Sequence, residues 1–233
     1  MSECDIKGRY YKVLDHGFVS LVDYMGSDDD IANAARVSYT SATKRTDNEK
    51  LIRYMYKHGH TSPFEMVEFK FHCKMPIFVA RQWIRHRTAN VNEQSGRYSV
   101  LDQEFYTPEK EHYCPQSMTN KQGRSDESVS DEAYNMFIET SCASRAGVSE
   151  AYNRLLDAGV SRELARIDLP LSLYTQWYWK IDLHNLLHFL KLRCDPHAQY
   201  EIVQYANVMA GMIERMVPIA FQAWIDYGFR SAK

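Results

Sequence analysis

Val67, Phe69, Phe71, Cys73 and Met75 alternate with Glu68, Lys70, His72 and Lys74. Such a period of two predicts a strand with one face buried, the clearest strand in the chain. A shorter run, Phe18 to Met25, reads as another strand. Asp28, Asp29 and Asp30 then put acids into the first turn of a helix running toward Tyr39, where they suit the macrodipole. A second helix is expected from about Asn48 to His58, closed by Gly59 as a left-handed cap. Pro76 fits the first turn of a third, Ile77 to about Arg87. On that helix Gln82, Arg85 and His86 are spaced to share one face, while Ile77, Phe78, Trp83 and Ile84 anchor it elsewhere. A polar loop is expected to follow.

From Thr107 to Asp131 the composition turns to Ser, Asp, Asn, Lys and Gln, which predicts a surface loop or insertion. Helical patterns come next, at about 131–158, 161–180, 183–193 and 196–216. Asp195-Pro196 offers an N-cap and a first-turn proline for the last of these. The sum predicts an α+β chain: a single domain, helix-rich in its second half, around a central β-sheet.

Composition adds little to this until charge is located. The chain has 233 residues and 45% hydrophobic content, enough for a substantial core. Aromatics reach 13%, with 16 Tyr, which suits either stacking of planar ligands or large subunit interfaces. A formal net charge of -2 argues against a general nucleic-acid binder. No run of about 18 uncharged apolar residues suggests a membrane span. Met1 to Asp5 lack the pattern of a secretory leader. Five scattered cysteines without a CxxC pair predict reduced thiols and a cytoplasmic setting.

Positive charge is local. Arg85-His86-Arg87 is followed, after residues 88–94, by Ser95 and then Gly96-Arg97-Tyr98. Arginine forks, hydroxyls and a glycine in one segment suit phosphate oxyanions. Neither a P-loop nor a dinucleotide fingerprint is present, so a nucleotide has to be held by arginines and loop amides. Arg85, Arg87, Arg97, Arg166 and Arg193 are the candidates; a surface ion pair is the plainer reading of Arg166 or Arg193 taken alone. His184 and His188 have the i, i+4 spacing of two zinc ligands, but without the glutamate of HExxH a structural or organic-ligand role is the stronger alternative. Cys194 beside Arg193 invites a lowered thiol pKa, and a buried structural cysteine is the common alternative. Ser95, His86 and Glu93 lie close in sequence, yet no G-x-S-x-G elbow supports a hydrolase triad.

Arg85-His86-Arg87, seven residues, then Ser95 resembles the RHRx7S signature of the flavin-dependent thymidylate synthases. The resemblance extends to Lys57-His58-Gly59-His60 with Pro63-Phe64-Glu65, and to Met75 through Trp83. It resumes at Glu163-Leu164-Ala165-Arg166, Leu169-Pro170-Leu171, Tyr174-Thr175, and Leu192-Arg193 through His197-Ala198-Gln199. Most of residues 12–227 are covered, the 107–131 region least. The resemblance implies reductive methylation of dUMP to dTMP, with 5,10-methylenetetrahydrofolate as carbon donor and FAD relaying a hydride from NADPH. It implies a homotetramer with active sites between subunits; the charge, hydropathy and motif readings add the expectation of no resident metal and neither a nucleic-acid nor a membrane partner. Carried over by position, Ser62, Arg85, His86, Arg87, Glu93, Asp182, Leu183, His184 and His188 are FAD contacts, with His60 a further candidate on the folate or flavin side. Gln82, Trp83, Ile84, Arg85, Glu93, Gln94, Ser95, Gly96, Arg97 and Arg166 are dUMP contacts. Arg193 is the activating residue: its guanidinium opposes the anion of an N3-deprotonated uracil. Ser95 is then a hydrogen-bond partner of the nucleotide rather than a nucleophile.

Overall fold

The computed structural model describes residues 6–38 and 47–229. Five antiparallel strands form its sheet: β1 (Tyr10–Val13), β2 (Gly17–Met25), β3 (Glu68–Pro76), β4 (Asn90–Glu93) and β5 (Tyr174–Asp182), in the order β1-β2-β3-β5-β4. The alternation that predicts β3 is realised completely. Phe69, Phe71, Cys73 and Met75 are buried, and the polar set lies on the opposite face. There Lys180 donates to Glu68 at 2.7 Å, and the His72 ring stacks on Tyr178 with centroids 4.8 Å apart. Eight α-helices surround the sheet among the described residues: α1 (Asp28–Arg36), α2 (Asn48–Lys57), α3 (Ile77–Trp83), α4 (Asp131–Asp157), α5 (Arg162–Ala165), α6 (Leu183–Arg193), α7 (Tyr200–Met216) and α8 (Pro218–Trp224). Gly59 caps α2 at φ +71°, as its position predicts. Helix α1 ends at Arg36; Tyr39 lies outside the described residues.

Three expectations of secondary structure fail here. The 161–180 helix is replaced by the single turn α5 and the strand β5, whose Trp177, Trp179 and Ile181 face the core with a period of two. Pairing with β3 on one side and β4 on the other overrides the local helical pattern. Helix α7 begins at Tyr200 after Gln199 rather than at Pro196, because Asp195 closes a local turn onto the His197 amide at 2.8 Å. Residues 90–93, expected to be loop, form the edge strand β4.

Trp83 is the hinge of the core. Its ring meets Trp177 and Trp179 edge-on, at 5.4 and 5.3 Å, and stacks on Phe189 at 5.1 Å. Burial of these large rings supplies much of the apolar driving force and fixes the end of α3 against α6. Helix α4 behaves differently. Along its 27 residues only Tyr152 is buried, so its own chain gives it little to pack against.

Candidate functional site

Helix α3 stops at Trp83, and the Arg85 and His86 amides turn back to the carbonyls of Gln82 and Trp83. Only Gln82 of the expected face is therefore helical; Arg85 and His86 project from the tight turn that leads into β4. His86 is half-buried. Its ring lies edge-on to Phe189 at 4.9 Å and 6.2 Å from the ring of His188, both residues of α6. Its Nε2 accepts a 3.0 Å hydrogen bond from Nε of Arg193, the last residue of that helix. Burial first, then the charges of Arg193 and His188, hold the His86 pKa down at about 4. The ring is thus neutral near pH 7, its proton on Nδ1 and its Nε2 free to accept. Burial also lowers the Arg193 pKa, though a guanidinium remains charged.

Strand β4 separates this turn from the second half of the motif. Asn90 pairs with Lys180 and Glu93 with Trp177, so the two halves stand at opposite ends of a strand about 10 Å long. At the far end Glu93 accepts from the Thr175 hydroxyl at 2.8 Å. The Gln94 amide donates to the Gln176 carbonyl, and the Gln176 side chain bridges Gln94 to His72. Ser95 Oγ accepts from the Arg97 amide at 3.3 Å in a turn closed by Tyr98 and Ser99. Gly96 is buried; a Cβ there would come within 2.8 Å of Leu101 and 3.1 Å of the Arg166 side chain. A larger residue there would have to push the Leu101 and Arg166 side chains aside. Arg166 itself caps α5, and Arg97 pairs with Glu163 at 2.8 Å.

Not every residue expected in the site projects into it. The Trp83 and Leu183 side chains are fully buried in the core, and the Leu183 amide is taken by the Val67 carbonyl. Asp182 caps α6, accepting from the Asn185 amide at 2.9 Å and its side chain at 2.8 Å. Ser62 is exposed in the turn before Phe64–Met66, and the rings of His58 and His60 both flank Tyr54. The suspected triad is absent: His86 partners Arg193, Glu93 partners Thr175, and Ser95 turns to its own loop. Cys194 is no thiolate, since burial pushes its thiol up to about 12. His184 and His188 gather no third His, Cys or acid among the described residues; the trio with that geometry is Glu109, Glu111 and His112, elsewhere.

The donors that remain are telling. The guanidiniums of Arg85, Arg87 and Arg166 have no hydrogen-bond or ion-pair partner among the described residues, and buried Oε1 of Gln82 has none either. Unpaired guanidiniums, a half-buried Arg193 and an orphan amide oxygen on Gln82 fit phosphate groups and an imide-bearing ring such as uracil or flavin. Thr175 and the His86–Arg193 contact were not legible as site features. Finding Thr175 needs the β4–β5 register, and finding the contact needs the packing of α3 on α6.

Fold and site define a class: an α+β protein whose unpaired arginine side chains suit anionic, planar ligands. A family model described as "Thymidylate synthase complementing protein" matches residues 20–219. The flavin-dependent thymidylate synthase of Wolbachia pipientis wMel is 56% identical over 95% of this chain and 78% of its own length. That of Dictyostelium discoideum is 54% identical over 95% and 76%. Among solved structures, the UMP/dUMP methylase PolB from Streptomyces cacaoi, bound with 5-Br UMP, aligns with TM-score 0.84 and 32% identity over 94% of this chain and 98% of that one. The chain belongs to the flavin-dependent thymidylate synthase family.

Proposed function

We propose that this chain converts dUMP to dTMP by reductive methylation, with FAD bound, 5,10-methylenetetrahydrofolate as carbon donor and NADPH as reductant. The observation that carries the reading is the set of unpartnered guanidiniums, Arg85, Arg87 and Arg166, together with half-buried Arg193, in a chain of this family. FAD, when bound, supplies the hydride relay. Arg85 and Arg87 would hold its phosphates, joined by Ser62, His86, His184 and His188, while Asp182 and Leu183 shape the start of α6. Gln82, Ile84 and Glu93 through Arg97 hold dUMP, and Arg166 neutralises phosphate charge. Arg193 stabilises the anionic uracil. Trp83 contributes by anchoring the Gln82–Arg85 turn rather than by touching ligand.

The assembly proposed is a homotetramer with sites between copies, in a cytoplasmic setting and without nucleic acid or membrane as partner. Exposed apolar side chains support the first part: Leu164, Ile167 and Leu171, the last two 71% and 62% exposed, lie on and just after α5, which packs on the sparsely buried α4. The separation of the two motif halves by β4 supports sites completed by a second copy. Cys73, Cys114, Cys142 and Cys194 are unpaired, and no described helix is long and apolar enough to cross a membrane.

Purified protein reconstituted with FAD is expected to show bound-flavin absorbance and to form dTMP only when dUMP, the folate and NADPH are all present. Failure to retain flavin overturns the reading, and stoichiometric zinc would favour a hydrolase at His184 and His188. Ser95→Ala is expected to raise the KM for dUMP by about ten-fold, one hydrogen bond to a charged group, while turnover persists. Complete inactivity at normal dUMP affinity would restore Ser95 as a nucleophile.

A further inference from the structure

We propose that His86 is the positioning residue of Arg193: its Nε2 takes the Arg193 Nε–H and so aims both terminal amino groups of the guanidinium at the nucleotide. The proposal rests on the reading of Arg193 as the group that stabilises the anionic uracil. An arginine at the C-terminal end of a helix ordinarily sweeps a wide arc, and a free fork loses side-chain entropy on binding. Here one of its donors is fixed at 3.0 Å by a ring that is itself held edge-on to Phe189. With the Nε–H taken, the end of the fork remote from the side-chain stem, one N–H from each amino group, is left open. A bidentate grip on a second ligand is left intact.

The acceptor has to be uncharged, because an imidazolium has donors on both nitrogens and would repel the guanidinium. Half-burial next to Arg193 and His188 keeps the ring in the accepting form. Phe189 and Trp83, packed face to face beneath it, link the turn after α3 rigidly to α6. The Arg85-His86-Arg87 segment and the distant Arg193 are thereby one unit. With Nε2 committed to Arg193, a flavin contact of His86 is limited to Nδ1–H, the ring face or the backbone.

The test is a double-mutant cycle on FAD-saturated protein, reading the dUMP dissociation constant by calorimetry alongside turnover. His86→Leu is expected to weaken dUMP binding and to lower kcat/KM by on the order of ten- to hundred-fold, the size of one charge-assisted hydrogen bond. His86→Gln, whose amide oxygen can stand where Nε2 stands, is expected to recover most of both. In the Arg193→Ala background, His86→Leu is expected to change neither further. Additive losses overturn the proposal, as does a loss confined to FAD affinity with dUMP binding intact. Wild-type dUMP binding and turnover in Arg193→Ala alone would instead sink the underlying reading of Arg193, and the proposal with it. A melting temperature shared by all variants separates positioning from folding.

Discussion

Arg193→Ala is expected to lower dTMP formation by on the order of 10²–10³-fold, the usual effect of deleting one preorganised electrostatic donor. FAD should remain bound, because Arg85 and Arg87 have no other partner and sit on a separate turn. The expectation comes from the environment of the side chain. Half-buried at the end of α6, the guanidinium makes a single described hydrogen bond, to a neutral ring. No carboxylate among the described residues neutralises it, so its charge is available to a ligand. In a partly desolvated setting that charge can shift the N3 proton of uracil by roughly one to three pKa units. Arg193→Lys keeps charge but has no Nε–H for His86, and should recover only part of the activity. Wild-type dTMP formation in Arg193→Ala, measured with saturating FAD, dUMP and folate, would refute the role.

Local pattern made some of this architecture readable and hid the rest. Strand β3 was plain because one face is buried and the other solvated, which writes a period of two into the residues themselves. Helices α4 and α6 were equally plain, Asp131–Asp157 and Leu183–Arg193 lying close to their expected bounds. Strand β5 was not. Its run Tyr174–Asp182 is aromatic-rich and follows a real helical turn, and only pairing with two neighbours decides its state. The same gap concealed half of the site. Residues 88–94 read as a polar loop because β4 is an edge strand with little burial, so Thr175 opposite Glu93 could not be foreseen. Candidate ligand residues came from the family motif and the arginine count. Their division of labour came from packing, which spends Trp83 and Leu183 on the core and couples His86 to Arg193.

The 107–131 segment offers the largest expected effect on stability. Glu201, 3% exposed in the first turn of α7, receives Arg124 Nη2 at 2.6 and 2.8 Å on its two oxygens, and the Tyr106 hydroxyl at 3.1 Å. Arg124 also donates to the His112 carbonyl and lies 5.6 Å from the centre of the Tyr200 ring. A segment that reads as a polar surface loop is thus pinned to the core by a buried charge. Arg124→Ala leaves that carboxylate buried with one neutral donor, and should cost about 3 kcal/mol, the lower end for breaking a buried pair because Arg124 is partly solvated. Glu201→Gln should cost less, about 1–2 kcal/mol, since the freed guanidinium can turn to water. Removing both charges together, Arg124→Met with Glu201→Gln, should be milder than Arg124→Ala, because no charge is left stranded. Urea unfolding midpoints of the FAD-loaded proteins provide the comparison. If Arg124→Ala unfolds at the wild-type midpoint, the ion pair does not anchor the segment, and the order of the three variants has no electrostatic basis.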